Sequence, residues 1–294
     1  MLLLAFGQKK MVNKPVVGIL HLVVYVGFIL INIELLEILL DGIIGTHRLF
    51  APYLGSLYNF LIAMFEIFAL LVLVSVIFFW TRRNVSKIKR FWKNEMKGWP
   101  KQDADNILYF EVILMVLFLS MNATDSLLQN FGVESYIKAG SFPVSKFLTP
   151  LFKEFKLETL IIMERTFWWL HIIGIFAFLN YLYYSKHLHI LLAFPNTYFA
   201  NLEIKGKFRV NPHIKSEVQL MTNPQASMPE PSSTIPEKFG ATDVFDLSWV
   251  QLMNSYSCTE CGRCSSECPA NITGKKLSPR AIMMKTRDRL EEVG

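Results

Sequence analysis

The sequence predicts an all-α membrane protein, a four-helix transmembrane bundle followed by a small α-helical domain, and three observations carry that expectation. The 294-residue chain is 52% hydrophobic and 14% aromatic with a mean hydropathy of +0.33, and its apolar residues gather before position 195. A water-soluble domain does not sustain such a composition. Four stretches, about 15–40, 54–80, 106–122 and 163–190, approach or pass the roughly 20 apolar residues that cross a bilayer. Past the last of them the chain turns polar, and all four cysteines fall between positions 258 and 268.

The chain opens with MLLLAF, too short for the apolar region of a secretory signal and without basic residues before it, so a short interfacial segment is expected. Lys9, Lys10 and Lys14 flank the start of the first span. The connection after the second span, TRRNVSKIKRFWKNEMKGWPK, carries eight basic residues and one Glu, which places it on the cytoplasmic side. The 41–53 connection has only Arg48, and the 123–162 connection balances four Lys with four acidic residues, so both belong outside. Both chain ends then face the cytoplasm, as in a multi-pass protein of the bacterial cytoplasmic membrane. The basic flanks account for the net charge of +6 with no need of a nucleic-acid partner. Residues 1–195 make the membrane domain, 196–240, with TNPQASMPEPSSTIPEKFG, read as an extended linker, and 241–294 make the terminal domain. There DVFDLSWVQLMNSYS resumes a helical apolar rhythm, and Ser278 with Pro279 forms an N-cap and first-turn pair for a closing amphipathic helix.

Cys258, Cys261, Cys264 and Cys268, followed by Pro269, spell C-x2-C-x2-C-x3-C-P, the bacterial ferredoxin spacing for a 4Fe–4S cluster. Thiolates at i, i+3 and i+6 on a tight turn reach three corners of one cluster. Gly262 and Ser265 let the backbone pass close to the inorganic core and supply amide donors to its sulfurs. The fourth cysteine of such a run ligates the other cluster in two-cluster ferredoxins. With no second run, either one cluster takes all four cysteines or the complementary half lies on another segment or subunit. A four-cysteine zinc site competes, but zinc ribbons present two separated C-x2-C knuckles. No C-x-x-C-H occurs, which excludes covalent c-type haem. Cluster ligands belong in a reducing compartment, in agreement with the cytoplasmic side. The terminal domain is therefore expected to be a ferredoxin-like iron–sulfur domain.

Five of the six histidines, His21, His47, His171, His187 and His189, lie in or beside the spans, where polar side chains are functional candidates. At about 100° per residue His171 and His189 share one helix face, roughly 27 Å apart along the axis, so one helix can offer a ligand to each of two stacked haem b groups. The SKHLH run also reads as a basic interface anchor. His21, seven residues past Lys14, matches in depth His189, six residues before Pro195, and the two suit one bis-histidine haem. His171 lies toward the outer side, with His47 in DGIIGTHRLF as its prospective partner. Glu66 and Glu111 within spans, and Glu34 and Glu37 near the outer end of the first, are candidates for a proton path, or equally for protonated or paired carboxylates between helices.

The segment WWLHIIGIFAFLNYLYYSKHLHILLAFPN resembles the last ligand helix of the haem b subunit of respiratory nitrate reductase and its relatives. In that family two histidines 18 residues apart bind two haems, and the match falls on His171 and His189. The other ligand helix carries two histidines ten residues apart; here the first is His21 and the second falls at Ile31, which cannot ligate iron. The resemblance thus implies the His21 and His189 haem before the outer one. SCTECGRCSSECPANITGKKLSPRAIMMKTRDRL looks like the first cluster motif of iron–sulfur subunits related to heterodisulfide reductase and glycolate oxidase. Fused to such a membrane domain, it resembles the membrane iron–sulfur oxidoreductases that pass electrons from electron-transferring flavoprotein to the quinone pool. Proteins of that fused type have a further hydrophobic segment upstream, and a second cluster motif and cysteine-rich catalytic repeats downstream, so this chain is expected to be an internal portion of a longer protein, and no disulfide-reductase role is carried over.

The expected function is electron transfer between a cytoplasmic flavoprotein or iron–sulfur donor and a membrane quinone, through the cluster and haem b, in the direction their potentials set. The alternative is a non-catalytic anchor that holds an iron–sulfur module without haem. A solute transporter is disfavoured by the lack of a Gly/Pro-broken pair of spans.

Overall fold

The structure, a computed structural model, describes residues 1–204, 212–223 and 241–294. It is all-helical and separates into two units, Met1–Leu188 and His189–Gly294. Most of the linker expected over 196–240 lies outside the described residues.

The first unit is built on α1 (Pro15–Ile44), α2 (Ser56–Asn84), α3 (Trp99–Asn130) and α4 (Leu157–Tyr184). All four are long and apolar enough to cross a membrane. The helices pack in chain order, α1 on α2, α2 on α3 and α3 on α4. Ile62, Phe65, Val72 and Val76 of α2 meet Phe118 and Leu119 of α3 and Ile172 and Phe178 of α4 in the core. Ile19, Ile33, Val74, Ile113 and Ile173 stay exposed, an apolar outer surface suited to lipid.

Helix α3 runs beyond the 106–122 stretch at both ends because its charged residues find partners. Asp103 accepts from the Tyr181 hydroxyl at 2.7 Å and from the Lys186 backbone N–H at 3.0 Å. At the other end Asp125 accepts from Arg48 and His47.

The sequence predicts the fourth span as one helix over 163–190, and here the structure differs. Helix α4 stops at Tyr184, and Ser185 is extended, with φ −110° and ψ 157°. The next amides are diverted from the helical ladder: Lys186 N–H goes to Asp103, and His187 N–H goes to the Ser185 Oγ at 3.0 Å. The Lys186 ammonium also reaches the Pro100 carbonyl at 2.6 Å. A new helix, α5 (His189–Tyr198), starts at His189 and continues past Pro195. His171 and His189 are therefore on separate helices, and the single shared face expected for them is not present.

One end of the bundle, the distal end, carries the 45–55 and 131–156 connections. There Arg48 donates through Nε and Nη2 to Asp125 Oδ2, at 2.9 and 2.6 Å, and through Nη2 to Asn122 Oδ1 and Nη1 to the Tyr58 hydroxyl. Tyr58 in turn donates to Glu37 at 2.7 Å, and Glu37 also accepts from the Phe50 amide. Asn122 donates to Glu66 Oε1 at 3.2 Å, and the Val144 and Ser145 amides donate to Glu66 Oε2 at 2.9 and 3.1 Å. Three helices and both connections are thus tied by buried polar bonds.

The second unit continues with α6 (Pro212–Thr222), α7 (Trp249–Tyr256), α8 (Arg263–Glu267), α9 (Pro269–Ile272) and α10 (Pro279–Val293). A reciprocal cap between Ser248 and Gln251 starts α7. Ser278 caps α10 through the Ala281 amide, with Pro279 in the first turn. Helix α7 packs on α10 and on α5, where Phe199 meets Trp249 edge to face at 4.8 Å.

Glu66 is fully buried and accepts three hydrogen bonds, two from amides of the 131–156 connection and one from Asn122 of α3. Glu66→Ala strands two loop amides and the Asn122 amide and is expected to lower stability by about 2–4 kcal/mol. A lowered thermal midpoint in detergent checks this, and Glu66→Gln, which keeps an acceptor oxygen, should recover much of the loss.

Candidate functional site

The four thiols lie on the turn between α7 and α9, and none is in a disulfide. Two residues of this turn take the left-handed region, Glu260 at φ +54° and Gly262 at φ +73°. Such a turn points successive amides inward, the backbone arrangement seen at many anion and iron–sulfur sites. The Glu260 amide donates to Cys258 Sγ at 3.4 Å, and the Arg263 Nε donates to Cys261 Sγ at 3.4 Å. Burial pushes both thiols up. For Cys261 the Arg263 amide and guanidinium and the Thr259 hydroxyl outweigh burial, and its pKa falls below the ordinary cysteine value, whereas that of Cys258 stays raised. Cys264 is exposed.

The turn is held from beneath by α10. Arg280, 1% exposed, sends Nη1 to the Glu260 carbonyl at 3.4 Å, and Arg287 pairs with the buried Glu260 carboxylate at 2.7 Å. Gly262 is needed twice, for its positive φ and because a Cβ there would meet Arg280 Nη1 at 2.7 Å. Arg280, Met284 and Arg287 recur on one helix face, which is the sequence signal that would have identified them as supports of the turn. Among the described residues no three His, Cys, Asp or Glu side chains converge closely enough to hold a single metal ion. The small, buried Ser265 lies beside the thiols on this turn.

His21 lies half-buried on α1, and His189 lies half-buried at the start of α5 in the other unit. His187 rests against the Phe178 ring at 5.3 Å. His47 does not join His171. Its Nε2 lies 3.0 Å from Asp125 and its Nδ1 accepts from the Ile137 amide at 3.1 Å, so both ring nitrogens are engaged in the distal polar network.

His171 is 3% exposed, lies beside the Phe118 ring and lines a cleft of about 730 Å³, open solvent included, between α1, α3 and α4. Helices α1 and α4 converge distally, where Gly42 admits the Trp168 ring, whose nearest atom lies 2.7 Å from the place of a Cβ. The walls are apolar except for His171, Asn32, Glu34 and Glu111. Ile31 faces this space from α1. A second, polar cavity of about 420 Å³ is lined by Asp41, His47, Arg48, Asp125 and Arg165 and shares Glu34 and Ile38 with the first. The proximity of these cavities depends on helix packing and left no local pattern in the sequence.

No family model matches the chain, and no solved structure matches it. Two curated relatives do. Over 289 residues it is 28% identical to a probable iron-sulfur-binding oxidoreductase FadF of Bacillus subtilis, covering 98% of this chain and 36% of the relative. It is 25% identical, again over 289 residues, to the EtfAB:quinone oxidoreductase of Syntrophomonas wolfei, covering 96% of this chain and 36% of that protein. The chain thus spans about a third of the length of the curated relatives it matches, and it is distantly similar to a probable iron-sulfur-binding oxidoreductase and to a quinone oxidoreductase.

Proposed function

We propose that this chain is the membrane portion of an iron–sulfur oxidoreductase that carries electrons between a cytoplasmic donor and the quinone pool. The observation that carries the reading is the cysteine turn, with two left-handed residues and donors directed at its sulfurs, in a chain with four membrane-length helices. Cys258, Cys261 and Cys264 would hold a 4Fe–4S cluster, with Cys268 completing it or serving a neighbouring one, and the cluster supplies one-electron exchange. The protein's own residues set its surroundings. Arg263 and the inward amides favour the more negative, reduced state, and exposed Cys264 leaves an edge open to a redox partner. The relative that is an EtfAB:quinone oxidoreductase supports electron-transferring flavoprotein as that partner and quinone as the other end.

Haem b rests on the spacing of His21 and His189 and on the resemblance of the fourth span; its chemistry there is one-electron exchange, tuned by the axial imidazoles. Nothing in this reading uses His47, whose ring is engaged elsewhere. The basic 82–101 connection sets the cytoplasmic side for both chain ends.

The test is a dithionite-reduced minus oxidised spectrum of the detergent-purified chain, with iron and acid-labile sulfide assayed on the same sample. Iron and sulfide in near-equal amounts, lost in Cys258→Ala and Cys261→Ala, are expected, together with a b-type band lost in His189→Ala. Zinc in place of iron and sulfide overturns the electron-transfer reading, and iron and sulfide without a b-type band leave the anchor. The turn itself gives a further expectation. Gly262→Ala combines a left-handed backbone with a clash against Arg280 and is expected to lower cluster occupancy, at a strain of about 1–3 kcal/mol. Iron and sulfide per chain after reconstitution measure it.

A further inference from the structure

Two buried side-chain atoms of the first unit, Glu34 Oε2 and His171 Nδ1, have no hydrogen-bond partner, and both residues line the same apolar cavity. Each residue is only 3% exposed. An unmet acceptor or donor in such a place calls for a ligand with polar atoms of its own.

We propose that this cavity binds the ring of a quinone, with His171 bonding one of its oxygens and Glu34 passing protons between the ring and the polar cavity at the distal end. The proposal rests on the electron-transfer reading above for its electrons, but not for the binding itself. Three features select a quinone. The walls are apolar and the mouth is open, which suits a lipid-soluble ring. Imidazole and carboxyl groups can each donate or accept, and a quinone oxygen alternates between acceptor carbonyl and donor hydroxyl. A bis-histidine haem would need a second strong ligand from α1, where the wall offers Phe28, Ile31, Asn32 and Glu34 and no imidazole or thioether.

Glu34 is the one acidic side chain on the walls of both cavities. It faces Arg48, whose Nη1 lies 4.0 Å from Glu34 Oε1, and beyond Arg48 lie Asp125 and His47. Glu37 and Glu66 also act on it, Glu111 lines the same apolar cavity, and Asp41 and Arg165 line the polar one. Quinone plus two electrons and two protons gives quinol. The electrons arrive singly from the one-electron carriers of the proposed chain, and Glu34 hands over each proton in turn, regaining one from the distal cavity between transfers. Quinol oxidation reverses every step.

The experiment titrates the detergent-purified chain with 2-heptyl-4-hydroxyquinoline N-oxide, a fluorescent quinol analogue, and displaces it with a short-chain naphthoquinone. Saturable, displaceable quenching is expected, weakened about tenfold in His171→Leu by the loss of one buried hydrogen bond. Ile175→Trp, which fills the cavity, should abolish it, with size-exclusion elution confirming that the variant is folded. The chain stripped of iron by a chelator should bind equally, so failure of the electron-transfer reading and failure of this site give different results. Glu34→Gln should keep the affinity and slow reoxidation of the reduced chain by the naphthoquinone about tenfold or more, a loss of about 1.4 kcal/mol or more in the barrier. Binding indifferent to both His171→Leu and Ile175→Trp overturns the proposal. So does a stoichiometric haem whose α band disappears in His171→Leu, because haem then occupies the cavity.

Discussion

Arg48 carries its charge to a place where only 7% of the residue meets solvent, and a guanidinium so placed must be satisfied by protein groups. Asp125 of α3 supplies the countercharge, and Asn122 and Tyr58 take up further donors. The last two also reach onward. Tyr58 bonds Glu37 of α1, and Asn122 bonds Glu66 of α2, which in turn holds the 144–145 amides. In an apolar bundle, where packing between helices gains little from the hydrophobic effect, such bonds fix which helix faces meet. The backbone of Arg48 itself takes φ +54°, a strained conformation held by its amide bond to Asp41 at 2.8 Å and by the side-chain network.

The parts of this fold that follow from local chemistry were legible in the sequence. Apolar length identified four spans, the C-x2-C-x2-C-x3-C-P run identified the turn, and Ser278 with Pro279 identified the start of α10. What was not legible depends on residues far apart in the chain. Ser185 reads as a small residue inside an apolar helix, and nothing near it announces a break. The break comes from Asp103, which captures the Lys186 amide across 83 positions, and the same Asp103 made the third span look shorter than it is. Periodicity assumes that a helix continues, and a distant carboxylate overrode it.

His47 shows the same limit in the site. A histidine just beyond a span is open in sequence to ligand, anchor or network roles, and only the positions of Asp125 and the Ile137 amide decide among them. The cysteine turn was more predictable because its geometry is local. Even there the buried Arg280 and the Arg287 pair with Glu260 lie on a helix that the sequence showed only as amphipathic. Holding Glu260 in a left-handed conformation costs about 1–3 kcal/mol, and an ion pair with a 2% exposed carboxylate is the kind of contact that keeps such a residue in place.

Hydrogen-bond accounting also separates the carboxylates that composition alone treats alike. Glu37 and Glu66 have protein donors on both oxygens, and Asp125 is paired with an arginine and a histidine; these three serve the fold. Glu34 has one oxygen 4.0 Å from Arg48 and the other without a partner, at the wall between a polar cavity and an apolar one. A group so placed is supported without being satisfied, because the arginine beside it is already committed to Asp125. That combination leaves one carboxyl able to change partners while its neighbours keep theirs, which is the physical requirement for moving a proton through a structure that does not itself rearrange.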